Sequence, residues 1–263
     1  MPGENQMPSG TKAIETYFER TAETEALVQG VIAKRKSMLL FGEAGAGKTR
    51  LLRGLAASQP HIAYARASTS ARELLLGILE GMHFGTRKLQ STARSNGTSL
   101  ASLRGMVERR LSEQPWILFL DQVQSPSNAI SHLVKELNYF DRTPILFAAR
   151  LEHMEDTGGL RSLCLNRTSR VALKPWTAPV ALEFTQQQAA LSGLEAANLD
   201  EALKGIAELS HGYPGRILQM LRMASEETYR QAGSIKFHVL YVDFSMNGSS
   251  AIAKKAMPAS TPS

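Results

Sequence analysis

Residues 42–49 have the types and spacing that bind a phosphate chain. They read Gly-Glu-Ala-Gly-Ala-Gly-Lys-Thr, which is the full pattern G-x-x-x-x-G-K-[ST]. In such a loop the glycines let main-chain N–H groups point inward, a lysine reaches the β- and γ-phosphates, and a hydroxyl binds Mg²⁺. We therefore predict that the chain binds a nucleoside triphosphate through Gly42, Glu43, Ala44, Gly45, Ala46, Gly47, Lys48, Thr49 and Arg50, with Thr49 also a metal ligand.

The segments on either side of this loop place it between a strand and a helix. Residues 37–41 are apolar and predict a buried strand, and residues 50–55 have helical spacing of leucines. This strand–loop–helix order is the context that the phosphate-binding pattern requires. The alternative is a plain glycine turn before a helix, but such a turn has no need of Lys and then Thr after its last glycine.

A second chemical signal lies where four apolar residues are followed by an acid. Residues 117–120 read Ile-Leu-Phe-Leu, and Asp121 and Gln122 follow them. An aspartate that ends a buried strand near a phosphate loop is suited to hold Mg²⁺, so we predict Asp121 as the second metal ligand, on a strand neighbouring the first. The alternative role for Asp121 is to cap the helix that follows Pro126.

Composition limits the classes of protein that fit. The chain has 263 residues, is 43% hydrophobic, and carries a formal charge of +6 from scattered basic residues, which permits an acidic partner without requiring one. No apolar run approaches the ~20 residues of a membrane span, and residues 1–6 lack the features of a signal peptide. Cys164 is the only cysteine, so we expect no internal disulfide, a cytoplasmic location, and a core thiol rather than a nucleophile.

Strand and helix patterns alternate through the first two thirds of the chain. This order predicts an α/β fold, a P-loop NTPase parallel sheet with helices on both faces, with strands at 37–41, 61–66, 116–120, 144–149 and 171–174. Three helices follow at 179–191, 199–209 and 216–230, and the alternating residues 235–244 predict a strand or tight hairpin. We thus expect a disordered lead (1–11), an ATPase core (12–176), a small C-terminal helical lid with a terminal strand (177–246), and a disordered tail (247–263).

With these motifs the chain resembles the AAA+ ATPases, and among them the initiator, STAND and transposition-regulator branch, over residues 14–245. Arg20 and Glu23, with Leu27, are similar to that branch's entry segment beside the nucleotide. Residues 211–216, His-Gly-Tyr-Pro-Gly-Arg, are similar to the lid segment that approaches the nucleotide. The resemblance implies ATP and Mg²⁺ as cofactors, and it implies that Pro214 packs against the adenine ring; the alternative is that Pro214 shapes the helix start.

Departures from the family pattern bear on catalysis. Gln122 stands where the family usually has a glutamate that polarises water; an amide can orient water but cannot take its proton at neutral pH. We therefore expect slow hydrolysis, with compensation open to a carboxylate of residues 150–156. Arg150 occupies the usual sensor position and is either a γ-phosphate contact or a surface arginine. His153 suggests helix capping rather than a metal site. Three arginines are candidates for a finger that reaches a neighbouring subunit: Arg161, Arg167 and Arg170.

Two functions follow from these patterns. The first is an ATP-dependent switch with slow ATPase activity, in which Lys48, Asp121, Gln122 and Arg150 act on the nucleotide. The second is a non-hydrolysing ATP-binding regulatory or scaffold module, which Gln122 favours. A small-molecule kinase fits poorly because kinases of this fold need no such lid. We expect self-association or a partner protein; no motif indicates nucleic-acid binding, so any such contact would depend on charge.

Overall fold

The computed structural model describes residues 20–82, 98–139 and 142–253. Two compact units make up the chain, the first ending at Lys174 and the second beginning at Pro175, two residues before the boundary expected from the sequence. The expected disordered lead and most of the polar stretch at 91–98 lie outside the described residues. No helix within the described ranges has both the length and the apolar character needed to span a bilayer.

The first unit alternates strands and helices as the sequence predicts. Five strands, β1 to β5, occupy Met38–Phe41, Ile62–Arg66, Ile117–Val123, Ile145–Ala149 and Arg170–Ala172. The helices α1 to α6 occupy Thr21–Leu27, Lys48–Ser58, Ala71–Met82, Leu100–Glu113, Asn128–Tyr139 and Met154–Thr157. A π-helical turn, Val28–Ala33, continues α1, and 3₁₀ turns at Gly158–Cys164 and Arg167–Ser169 precede β5.

The five strands form one parallel sheet in the order β2-β3-β4-β1-β5. The prediction that the aspartate strand neighbours the loop strand is wrong, because β4 lies between β1 and β3. Such a parallel sheet is covered on both faces, which is why β4 and the first five residues of β3 are buried throughout. Because all strands run the same way, the residues that follow β1, β3 and β4 meet at one edge of the sheet.

Leucine-rich helices cover the sheet. Leu51, Leu52 and Leu55 of α2 are at most 2% exposed, and α3 buries its apolar residues at helical spacing in the same way. Cys164 is buried among the apolar side chains of this core, as predicted, and it is the free cysteine of the chain. The core therefore fixes β1, β3 and β4, and with them the loop and acidic residues at their carboxyl ends.

The second unit is helical, as predicted. Helices α7 to α10 occupy Ala178–Leu191, Leu199–Leu209, Pro214–Ser225 and Phe237–Ala253. The expected helix at 216–230 instead begins at Pro214 and ends at Ser225, and a 3₁₀ turn, Glu227–Tyr229, follows it. A small antiparallel hairpin pairs β6, Arg230–Gln231, with β7, Ser234–Ile235, through an Ala-Gly turn whose two residues have positive φ.

The prediction of a strand at 235–244 is wrong, because residues from Phe237 onward form α10. Phe237, Leu240 and Asp243 recur every three residues and face the same side: Leu240 is fully buried, and Asp243 accepts a hydrogen bond from Tyr229 at 3.0 Å. Phe237 lies so close to Gly205 that a Cβ at position 205 would come within 2.3 Å of its ring. This helical spacing outweighs the apparent alternation. Since α10 extends to Ala253, the expected disordered tail does not begin at 247.

Candidate nucleotide site

The loop between β1 and α2 has the backbone of a phosphate cradle. Gly45 and Gly47 have φ values of 85° and 99°, in the region that glycine reaches without strain. Gly47 is the residue before α2, so the N–H groups of the first turn of that helix face the loop. A Cβ on Gly42 would lie 2.7 Å from the carbonyl oxygen of Leu173, so only glycine fits where the loop passes the end of β5. The loop glycines therefore serve conformation and close packing.

Lys48 points its ammonium group at the loop itself. Nζ donates hydrogen bonds to the carbonyl oxygens of Gly42 and Glu43, the latter at 3.1 Å. Burial lowers the pKa of Lys48, while the charges of Asp121 and Glu43 act in the opposite direction. Two loop carbonyls thus hold the ammonium beside the cradle, where a phosphate oxygen can replace them as its partner.

The predicted metal ligands lie in direct contact. Thr49 Oγ1 donates to Asp121 Oδ2 at 2.7 Å, although the two residues are 72 positions apart in the sequence. Asp121 is fully buried, and its Oδ1 accepts the N–H of Gln122 at 2.9 Å. A hydroxyl and a carboxylate are the hard oxygen donors that Mg²⁺ takes, with phosphate and water completing its shell. The pair fits that ion, and no group of three or more acidic, His or Cys side chains suited to a metal occurs within the described ranges.

Tyr64 is a third partner of Asp121, and sequence reasoning missed it. It lies on β2, which pairs with β3, and its hydroxyl donates to Asp121 Oδ2 at 2.7 Å. Arg53 of α2 donates from Nε to the same hydroxyl at 3.3 Å. The only sequence signal was a phenol among the apolar residues of this strand, and that signal did not indicate which strand β2 would pair with.

Gln122 stands on an irregularity of the sheet. Its φ is 60°, unusual for a residue with a side chain, and the register of β3 with β4 shifts between Leu120 and Val123. The bulge keeps Asp121 buried and leaves Gln122 exposed at the sheet edge. The amide side chain therefore reaches solvent beside the acid, where a water-positioning group is required.

Arg150 lies next to the phosphate loop. It follows β4 directly; its carbonyl accepts the N–H of Gly42 at 3.2 Å, and its Nε lies 3.2 Å from Glu43 Oε2. The side chains of this ion pair are 48% and 39% exposed, so the pair itself adds at most about 1 kcal/mol of stability. The contact puts the guanidinium beside the cradle, as a phosphate sensor requires, while its role as a sensor stays a prediction.

The acidic segment after Arg150 is largely occupied with local contacts. Glu152 forms an ion pair with Arg170 at 3.3 Å, and Asp156 accepts the N–H of Leu151 at 2.9 Å. The carbonyl of His153, the residue before α6, accepts bonds from the N–H and the hydroxyl of Thr157, the last residue of that helix. Asp156 is the carboxylate of this segment whose charge acts to raise the pKa of Lys48, so it is the one best placed to assist the site.

The entry segment, which begins at Arg20, contacts the phosphate loop. Arg20 is 7% exposed and forms an ion pair with Glu23 at 2.9 Å. Its Nη2 donates to the carbonyl of Lys174 at 2.8 Å and makes a longer contact, 3.4 Å, with the carbonyl of Ala46 in the loop. Leu27 is fully buried. These contacts give Arg20 a structural place beside the loop.

The three finger candidates differ in their surroundings. Arg170 is 13% exposed, and its guanidinium is held by Glu152 and by the carbonyls of Cys164 and Leu165, both at 2.9 Å. Arg161 is half-buried in a 3₁₀ turn, and Arg167 is exposed in the next one. The engaged state of Arg170 leaves the other two as candidates.

The segment containing Pro214 belongs to the second unit. Pro214 is the first residue of α9 and is buried, while His211 and Gly212 before it have φ values of 51° and 77°. The guanidinium of Arg216 lies 4.7 Å from the centroid of the Tyr213 ring. Proline at the first position of a helix is common, so the helix-start role of Pro214 accounts for its place, and a contact with adenine stays a prediction.

Comparison with known proteins agrees with this geometry. Residues 32–152, which include the loop, Asp121 and Arg150, match the family described as the AAA domain. This match covers just under half of the chain, and it supports the resemblance to the AAA+ ATPase superfamily. An AAA domain of this kind is nucleotide-binding, while the assignment of the loop described above as its site stays a prediction. No curated protein gives a significant match to the sequence.

Solved structures share the fold of this AAA+ protein. The Orc1 protein of Aeropyrum pernix in complex with DNA is 19% identical, with a TM-score of 0.63 over 92% of this chain and 69% of that one. A Walker-type ATPase of Pyrococcus abyssi is 16% identical, with a TM-score of 0.60 over 95% and 77%. The replication initiator DnaA bound to AMPPCP and single-stranded DNA is 13% identical, with a TM-score of 0.55 over 81% and 64%.

Proposed function

We propose that this AAA+ protein is an ATP-dependent switch that binds ATP with Mg²⁺ and hydrolyses it slowly. One observation carries the proposal: Lys48 lies at the loop carbonyls while Thr49 and Asp121 touch at 2.7 Å, so phosphate and metal ligands converge at one sheet edge. Lys48 binds the phosphates, and Thr49 and Asp121 hold the ion, which when bound neutralises charge on the phosphates. Arg150 responds to the γ-phosphate.

Slow turnover follows from Gln122. An amide orients water by hydrogen bonding but accepts no proton at neutral pH, so the site has positioning and electrostatics without a general base at this position. Those two effects provide most of the catalysis in phosphoryl transfer. Glutamine in place of the usual glutamate therefore slows hydrolysis rather than abolishing it. Asp156 is the nearby carboxylate that can accept the proton.

The second candidate is a module that binds ATP without hydrolysing it, and the exposed Gln122 favours it. Single-turnover phosphate release separates the two candidates. Release from the wild type, and faster release from Gln122→Glu, supports the ATPase. If neither protein releases phosphate while both bind ATP, the non-hydrolysing module is correct. The binding itself is tested by calorimetry with ATP and Mg²⁺ on the purified chain, and the absence of any heat of binding in a folded sample refutes both candidates.

A switch needs a partner or a second copy, and we propose that nucleotide controls self-association. Arg161 and Arg167 are the arginines available to reach a neighbouring subunit. The measurement is the solution mass with and without a non-hydrolysable ATP analogue. A mass that rises with the analogue, and that Arg161→Ala or Arg167→Ala prevents, supports the proposal; one mass under all conditions contradicts it.

Nucleic acid is a candidate partner because one groove of the first unit has the required chemistry. This open groove, about 830 Å³, includes Arg35, Lys36, Tyr139 and Arg142, and lies where the chain enters β1 and β4, at the edge opposite the phosphate loop. Tyr139 is 90% exposed. Cations that follow a phosphate backbone and an aromatic ring on which bases stack are the elements of single-strand binding.

If this groove binds nucleic acid, the affinity should depend on salt concentration. Binding of a labelled single-stranded oligonucleotide weakens steeply as salt rises, because each phosphate contact releases counterions. Lys36→Glu with Arg142→Glu weakens it further. Lys204→Glu with Arg222→Glu changes the net charge equally at exposed positions of the second unit and is the matched control. Equal loss in both double variants, or no binding at low salt, excludes this groove as the site.

A further inference from the structure

The carboxylate of Asp121 is held by a tyrosine from the neighbouring strand. In the parallel pairing of β2 with β3, Arg66 lies opposite Asp121 and Tyr64 lies opposite Phe119. The hydroxyl of Tyr64 nevertheless reaches forward and donates to Asp121 Oδ2 at 2.7 Å. Thr49 donates to the same oxygen at the same distance. Two hydroxyl donors from different elements thus converge on one oxygen of a fully buried acid.

Tyr64 is itself fixed by α2, the helix that begins with Lys48. The Nε–H of Arg53 donates to the Tyr64 hydroxyl at 3.3 Å, and the guanidinium carbon lies 5.4 Å from the centre of the ring. A hydroxyl that accepts one hydrogen bond becomes a stronger donor in the next.

We propose that Tyr64 is a positioning residue for the magnesium ion, because it fixes the Asp121 carboxylate that faces Thr49. This inference rests on the proposed Mg²⁺–nucleotide site. Asp121 Oδ1 is held by the N–H of Gln122, and Oδ2 by Thr49 and Tyr64. If the Thr49 hydroxyl turned a lone pair to a bound ion, Tyr64 would remain as the hydroxyl donor to Oδ2, and it does not belong to the ion's own ligand set.

Such an outer partner affects metal affinity without touching the metal. Ligand-orienting hydrogen bonds of this kind contribute roughly 10–100-fold to affinity for the ion. Tyr64 contacts Asp121 and no phosphate in this role, so removing its hydroxyl should leave the affinity for metal-free nucleotide unchanged. If the phenol instead competed with the ion for Oδ2 of Asp121, removing the hydroxyl would tighten the binding of Mg²⁺.

The test is Tyr64→Phe, which removes the hydroxyl and keeps the ring against Arg53. ATP affinity is measured with EDTA and then at rising Mg²⁺. We expect the Mg²⁺ concentration that gives half of the metal effect to rise by about tenfold, with affinity in EDTA unchanged. Tyr229→Phe is the matched control, because it removes a phenol-to-carboxylate bond, 3.0 Å to Asp243 Oδ2, from the second unit. It should leave both values at the wild-type level.

Each other outcome contradicts the inference. An unchanged or a lower Mg²⁺ requirement shows that Tyr64 does not position the ligand. An equal loss in EDTA shows a general structural role instead. Arg53→Met keeps the phenol but removes its support, so it should shift the Mg²⁺ requirement less and in the same direction; no shift, or a larger one, also contradicts the inference. If the wild type binds no ATP with or without Mg²⁺, the proposed function fails. If the wild type binds ATP with Mg²⁺ and Tyr64→Phe has the same Mg²⁺ requirement, only this inference fails.

Discussion

Replacing Lys48 by methionine should remove most of the nucleotide affinity while leaving the fold intact. Methionine keeps a long unbranched stem for the packing of the loop, and only the ammonium is lost. In the structure Nζ uses two of its hydrogens on the carbonyls of Gly42 and Glu43, so it is already positioned beside the cradle. Burial lowers the pKa of Lys48, which shows that the ammonium is held partly out of water. A charge-assisted bond in such a place is stronger than one at the surface.

The expected size of the effect follows from that contact. A hydrogen bond to a charged group contributes about 1.5–3 kcal/mol, so the loss of one phosphate contact should raise the dissociation constant for ATP by roughly 10- to 150-fold. Calorimetry with ATP and Mg²⁺ measures this directly, and thermal unfolding without nucleotide confirms that the variant is folded. The heat of binding should fall with the affinity.

Arg50→Met is the matched control for Lys48→Met. It removes one positive charge two residues away, from a side chain that is exposed in the first turn of α2. It keeps the main-chain N–H of residue 50, which is the group through which this position would contact phosphate. Its affinity for ATP should therefore stay close to that of the wild type. The reasoning is refuted if Lys48→Met binds ATP as the wild type does, or if Arg50→Met loses as much affinity, because general charge would then account for the binding.

Three further outcomes concern stability and reactivity. Gly212→Ala should destabilise the second unit by about 1–3 kcal/mol, because its Cβ would lie 2.2 Å from the Trp176 carbonyl oxygen, whereas Gly193→Ala, with open space and a similar positive φ, should cost less in thermal unfolding. Arg170→Met should lower the unfolding temperature because a carboxylate and two carbonyls lose their partner; an unchanged temperature would contradict this. Burial raises the pKa of Cys164 from 9.0 to about 12, so the native thiol should resist alkylation at pH 8 and react once unfolded. As pH rises, the thiol ionises in the unfolded chain before it does so in the folded one. The contribution of Cys164 to the free energy of unfolding is therefore complete below pH 9.0 and is lost as pH rises toward about 12.

The local motifs were predictable from sequence because each depends on a short run of residues. Gly42 to Thr49 carries its own conformation and chemistry, and the apolar residues before Asp121 identify a buried strand wherever that strand lies. The order of strands was not predictable in the same way. Periodicity shows that a strand is buried but not which strand it pairs with, so the position of β4 between β1 and β3 was missed.

The errors have the same physical origin in contacts that are distant in sequence. Tyr64 is a partner of Asp121 only because β2 pairs with β3, across 57 positions of the chain. In α10, alternating apolar residues suggested a strand, whereas the packing of Phe237 on Gly205 selects the helix. A pattern of one residue in two and a pattern of one in three coincide over a short apolar segment, and tertiary packing decides between them.

Arg20 makes the phosphate loop mechanically continuous with the last residue of the first unit. The same guanidinium nitrogen reaches the carbonyls of Ala46 and Lys174, at 3.4 and 2.8 Å. Hydrogen bonds are short-ranged, so a loop that moves by about an ångström must either break the longer contact or pull the guanidinium with it. Lys174 is the residue from which the chain leaves for the second unit. A ligand that shifts the loop can therefore displace Lys174 as well, because the planar guanidinium of Arg20 is hydrogen-bonded to both.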